Sequence, residues 1–183
     1  MNTTTIKRNK TKDMVYISMF AVIIAICSWI SIPSTVPFTL QTMAVFTAVG
    51  LLGGKRGTMS VVLYILLGAV GIPVFAGFSG GIGVLMGVTG GYIVGFFFSA
   101  LLMWGMEKAF GTGRWIRIIS MVLGLIVCYA FGTAWFMIVY TRTTGAIGIS
   151  AVLGMCVIPF IIPDILKIVI AFILTDRLKK VID

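Results

Sequence analysis

The sequence contains no histidine, and only five of its 183 residues are acidic. The first absence removes the commonest general base and metal ligand. The second leaves one acid, Asp164, inside an apolar run, so no carboxylate pair can be assembled there. No Gly-x-Ser-x-Gly element is present either, and without histidine a Ser-His triad is impossible. An enzyme is not expected. Charged residues of both signs make up 10% of the chain, far below the soluble average of about 25%. Cysteine is scarce: Cys27, Cys128 and Cys156 lie in apolar stretches without Cys-x-x-Cys spacing, and read as small packing residues rather than a disulfide or metal framework. Gly53-Gly54-Lys55-Arg56 has Val49 and Arg56 where a phosphate loop needs glycine and a hydroxyl residue, so it is not an ATP site. No cofactor or metal is expected.

What is present is apolar. Hydrophobic residues reach 60% and glycine numbers 22, with a mean hydropathy of +1.15. These values predict an all-α polytopic membrane protein forming a single integral domain over 1–183. A helix needs about 20 apolar residues, within roughly 17–25, to cross the bilayer. Six segments qualify or come close: Met14–Ile32, Leu40–Gly53, Gly57–Ile72, Gly90–Met106, Ile118–Tyr140 and Ile149–Thr175. The first lacks an Ala-x-Ala cleavage site and reads as a retained helix rather than a signal peptide. The six-helix bundle fills 14–175, between a basic tail at 1–13 and a short tail at 176–183.

The net charge of +9 could suggest nucleic acid, but its distribution argues for a membrane. Twelve of the fourteen basic residues fall in the two tails, the second-to-third loop and the fourth-to-fifth loop. Arg142 alone falls on the other side, and Lys167 lies within the last apolar segment. By the positive-inside rule both termini are cytoplasmic. The outer loops 33–39 and 73–89 carry no charge and are rich in Pro and Gly. Irregular apolar backbone at that depth is tolerated where it lines a cavity, so these loops are expected to wall or cover an outward-facing pocket.

Asp164 and Lys167 are the candidate site. A charge in the bilayer core costs about 2.5–3.5 kcal/mol even on the lenient scale, and such groups face a bundle interior or cavity. Three residues apart, they share a helix face. Either they form an ion pair that fixes helix packing, or they clamp a ligand bearing both N–H donors and a carbonyl or negative group. Pro163 invites a helix start that puts Asp164 in a first turn, where the dipole favours a carboxylate; the alternative is one continuous kinked helix. Gly83, Gly87, Gly91 and Gly95 recur every fourth residue, as a smooth ridge for close helix packing, as bare backbone near a ligand, or both. Ala21 and Ala25 form a second small-residue step on the first helix.

Three elements together resemble the BioY family, the biotin-specific substrate-binding subunit (S component) of energy-coupling factor (ECF) transporters. Val36-Pro-Phe-Thr-Leu-Gln41 is similar to its Pro-x-Thr-Leu-Gln element. Gly87-Val-Thr-Gly-Gly-Tyr92 is similar to its Gly-Pro-Thr-Gly-Gly-Tyr element, with Val88 in place of proline. Pro163-Asp-Ile-Leu-Lys167 is similar to its acid-and-lysine element on the last helix. The resemblance implies the six-helix S-component fold and biotin bound near the outer face. It implies a bacterial cytoplasmic membrane location, a transmembrane coupling subunit, and two cytosolic ATPases that alone bind ATP. It further implies that the whole subunit topples in the membrane during transport, and that Ala21 and Ala25 pack against the coupling subunit.

On this reading Asp164 accepts from the ureido N–H groups of biotin, while Lys167 holds either the ureido oxygen or the carboxylate. Thr39, Gln41, Gly90, Gly91 and Tyr92 supply further polar or backbone contacts, and Phe38, Phe75, Phe78 and Trp135 are candidate apolar walls. Rival readings are a self-sufficient proton-coupled transporter cycling protons on Asp164, a purely structural membrane subunit, and an S component for another vitamin.

Overall fold

The computed structural model describes residues 10–182. Lys7 and Arg8 of the basic tail, and Asp183, lie outside the described residues. Helix α1 (Lys10–Trp29) begins earlier than expected, so the last four residues of the presumed tail form its first turn. Asp13 sits there, where the dipole favours an acid, and pairs with Arg56 at 2.7 Å. A two-residue antiparallel ribbon follows, β1 (Ser31–Ile32) with β2 (Phe38–Thr39), joined by the first proline-rich loop. Then come α2 (Gln41–Leu52) and α3 (Gly54–Ala69).

The second loop, 73–89, holds a 3-10 turn at Ala76–Phe78 and a short helix α4 (Ile82–Met86). Helices α5 (Gly90–Phe110) and α6 (Arg114–Thr143) form the most extensive helix pair, and α7 (Ile149–Cys156) and α8 (Ile158–Ile182) close the chain.

Each expected span contains a helix, but among the described residues only four stretches are long and apolar enough to cross a bilayer unaided: α1, α5, α6 and the α7–α8 stretch. Helix α2 is 12 residues, about 18 Å, against a hydrocarbon core of about 30 Å. It does not meet lipid along its length: from Gln41 to Gly50 almost every residue is buried, among α1, α3, α5 and α8. A helix apolar on all faces belongs in a core. The site-bearing segment at its N-terminus is therefore held from all sides.

Two sequence expectations are corrected, and Ala21 and Ala25 are placed. The last helix does not start at Pro163: α8 runs through it, and the break falls at Val157. Pro159 cannot donate the N–H that would continue α7, so the helix restarts with Pro159 in its first turn, where the missing donor costs nothing. Asp164 consequently sits in the helix interior. The four-residue glycine ridge is not one helix, since Gly83 belongs to α4, Gly87 ends it, and only Gly91 and Gly95 share α5. Ala21 and Ala25 are 1% and 5% exposed, turned into the bundle of this chain.

Candidate functional site

Asp164 and Lys167 lie on α8, 3% and 4% exposed, and Lys167 Nζ donates to Asp164 Oδ1 at 2.7 Å. Both partners are on the same helix, one turn apart, so their mutual bond cannot by itself fix one helix against another. Burying two ions costs several kcal/mol each before pairing, and helix packing gains nothing from this pair directly. Their link to the rest of the fold comes through two other groups. Tyr129, on α6, donates its hydroxyl to Asp164 Oδ2. Phe38, on β2, lies under the ammonium, with Nζ 3.9 Å from the ring centroid, a cation–π contact. Phe38 in turn stacks on Phe160 of α8, centroids 6.2 Å apart.

The pair opens on a cavity of about 110 Å³. Thr39, Gln41 and Tyr92 line it together with Asp164 and Lys167, which unites five of the expected site residues from four parts of the chain. Gln41 starts α2; its Nε2 donates to Tyr64 Oη at 2.6 Å, and its backbone N–H donates to Thr39 Oγ1 at 3.3 Å. The Tyr92 hydroxyl meets Thr133 Oγ1 at 3.1 Å. Phe75 contributes an apolar wall, held edge-on against Tyr64 at 5.5 Å.

The loops 33–39 and 73–89 do wall the cavity, through Val36 and Pro37 from the first and Phe75, Ala76 and Ser79 from the second. The second loop is fastened at both sides. Ser28 and Trp29 of α1 donate to the carbonyls of Val74 and Pro73, the latter at 2.9 Å, and Trp29 stacks on Phe78 at 5.0 Å. Across the site, Trp135 Nε1 of α6 donates to the Gly87 carbonyl at 3.0 Å.

Other expected residues fall elsewhere. Trp135 holds the loop rather than lining the cavity, and Phe78 is 65% exposed on the far side of Trp29. Gly90 and Gly91, read as close packing or as bare backbone near a ligand, show the packing side of that reading. A side chain on Gly90 would strike the Leu85 backbone, and one on Gly91 would strike Trp135. Their lack of a Cβ serves packing within the chain.

The residue that sequence reasoning missed is Tyr129, whose signal was a lone phenol in the middle of an apolar span. Cys128 and Cys156, read as packing residues, are free thiols at the cavity wall.

Chemically, the arrangement is a polar end in an apolar chamber. A carboxylate offers about four acceptor positions, and Asp164 uses two, on Lys167 and Tyr129. Lys167 has three donors and spends one on Asp164. Acceptors and donors thus remain side by side, and the ion pair leaves the chamber without net charge. Such a site suits a small neutral head that both donates and accepts hydrogen bonds.

The chain matches the BioY family over residues 1–183. It is 38% identical over 170 residues to the biotin transporter BioY of Thermotoga maritima, spanning 92% of this chain and 96% of that one. It is 36% identical over 171 residues to a probable biotin transporter BioY of Pyrococcus horikoshii, spanning 93% and 98%. Among solved structures it matches the crystal structure of the S component for biotin from an ECF-type ABC transporter. The TM-score is 0.84 at 28% identity, covering 95% of this chain and 94% of that one. The architecture is thus that of an S component, in a multi-pass membrane protein. Matched along its whole length, the chain belongs to the BioY family, whose members are transporters and not enzymes.

Proposed function

We propose that this protein is the biotin-binding S component of an ECF-type vitamin uptake system in a bacterial cell membrane. The observation that carries this reading is the buried Asp164–Lys167 pair, bonded to the half-buried Tyr129 and facing a chamber, in a chain of the BioY family. The ureido ring of biotin has two N–H donors and one carbonyl, which is the pattern left open at the polar end. Asp164 accepts from the ureido N–H groups, and Lys167 holds the ureido oxygen or the valerate carboxylate. Thr39, Gln41 and Tyr92 complete the polar contacts, and Phe75 contributes to the apolar wall.

The six helices form one integral domain with cytoplasmic termini. That orientation rests on the basic residues Lys55, Arg56, Lys108, Arg114 and Arg117 at one end of the bundle. A transmembrane coupling subunit and two cytosolic ATPases supply the energy, and ATP binds only to them.

The test is titration of the purified protein with biotin, thiamin and riboflavin, beside uptake measured in cells with and without the coupling subunit and ATPases. Saturable binding of biotin alone, and uptake that stops without the ATPases, is the expected result. Preference for another vitamin sinks the ligand assignment. Undiminished uptake driven by a pH gradient replaces the subunit reading with a proton-coupled carrier. Biotin methyl ester then locates Lys167: undiminished affinity puts the ammonium at the ureido oxygen.

A further inference from the structure

A second cavity, far larger than the first at about 820 Å³, lies open on the outside of the bundle between α6 and α7. Its floor and one wall are Ala130, Ala134 and Ile138 of α6, and the facing wall is Ile149 and Leu153 of α7. Its lining is apolar apart from the Tyr129, Thr133, Thr141 and Arg142 side chains. Lipid tails are as apolar as these residues, so helices are not driven together in a bilayer by apolar area alone. The small side chains at Ala130 and Ala134 keep the gap open.

The groove has a charged end. Arg142, near the C-terminus of α6, lines it and has no partner among the described residues. From Ala130 to Arg142 the helix rises about 18 Å, close to the roughly 15 Å of hydrocarbon in one leaflet, half the bilayer core. When the alanines lie near the midplane, the guanidinium reaches headgroup level. There its planar fork can grip a phosphate through two parallel hydrogen bonds. An apolar trough one leaflet long, ending in an unpaired arginine, matches an amphiphile of opposite charge.

We propose that this groove holds one phospholipid of net negative headgroup, with an acyl chain along Ala130 and Ala134 and the headgroup phosphate on Arg142. The site is separate from the Asp164 chamber but shares one residue with it. Tyr129 lines both cavities and is the partition between them.

The test uses the full-length protein reconstituted in nanodiscs of equal parts phosphatidylglycerol and phosphatidylcholine, then released for native mass spectrometry. The expected result is one retained lipid per protein, with phosphatidylglycerol favoured about 2- to 5-fold, because the choline cation of phosphatidylcholine offsets the phosphate charge that Arg142 faces, and an exposed ion pair is worth little. Arg142→Gln brings that ratio to about one, Arg142→Lys keeps most of it, and Ala134→Phe lowers retention of both lipids. Melting temperature checks that each variant is folded, and Ala130→Val, a smaller filling of the same trough, replaces Ala134→Phe if that variant is not. Equal retention of the two lipids by the wild type overturns the proposal. So does a preference that survives Arg142→Gln, or a second protein chain recovered in the groove in place of lipid.

Discussion

If the Asp164–Lys167 pair is a ligand clamp rather than a brace, stability and binding must come apart when both charges are removed together. Asp164 and Lys167 are almost fully buried and 2.7 Å apart. Asp164→Asn leaves a buried ammonium over Phe38 with no counter-charge, and Lys167→Met leaves a buried carboxylate with only the Tyr129 hydroxyl. Breaking a buried pair from one side costs about 3–5 kcal/mol, whereas replacing both ions by uncharged groups is about neutral or stabilising. Each single variant should therefore lose roughly 6–20 °C of melting temperature, at about 2–4 °C per kcal/mol for a chain of this size. The double variant should melt close to wild type.

Binding should not recover with it. The double variant lacks both the carboxylate that receives the N–H donors and the ammonium. Losing even one charged hydrogen bond, worth about 1.5–3 kcal/mol, weakens affinity roughly 10- to 150-fold. The assay is thermal unfolding in detergent beside biotin titration of all four proteins. A double variant that binds biotin like wild type would show that the pair is a brace. A double variant as unstable as the sum of the singles would show that the two charges are not coupled as drawn.

Trp135→Phe removes the hydrogen bond to the Gly87 carbonyl and should raise the biotin dissociation rate about 2- to 13-fold, for a bond of 0.5–1.5 kcal/mol, with little change in melting; stopped-flow displacement measures it. Gln41→Leu strips the fully buried Tyr64 hydroxyl of its 2.6 Å partner and should cost about 1–3 kcal/mol of stability, read by thermal unfolding, with Gln41→Leu/Tyr64→Phe regaining most of it. Ala21→Leu overpacks the bundle interior and should cost about 1–3 kcal/mol; a normal melting temperature with lost uptake would instead return Ala21 to a partner surface.

The charge pair was legible because two ions in an apolar run have few places to go. The loops were legible as walls because uncharged Pro- and Gly-rich backbone needs protein around it. Less legible were features decided by which face of a helix meets which neighbour. Small residues at 21 and 25 fit an outward step or an inward one equally well, and the inward turn is set by contacts with α2 and α3 far along the chain. Gly91 looked available to a ligand until α6 brought Trp135 against it.

The two prolines of the last segment pose the same difficulty. Each can start a helix, and only the pairing of neighbouring carbonyls decides that Pro159 does so while Pro163 is absorbed. Tyr129 is illegible in the sequence for a related reason: a phenol in a span gains meaning only when α8 places a carboxylate opposite it.

The fastening of the second outer loop is lopsided, and that sets a direction. On the α1 side, Ser28, Trp29 and the Trp29–Phe78 stack hold three points of the loop. On the α6 side, Trp135 holds one carbonyl. The weaker fastening is the latch and the stronger is the hinge. A loop loosened by thermal motion, on the nanosecond-to-microsecond scale of such segments, should part first from α6 and swing on α1. An opening on that side should lie nearest Tyr92 and its hydrogen-bond partner Thr133, so weakening the Trp135 bond should act on ligand exchange more than weakening the Trp29 bond.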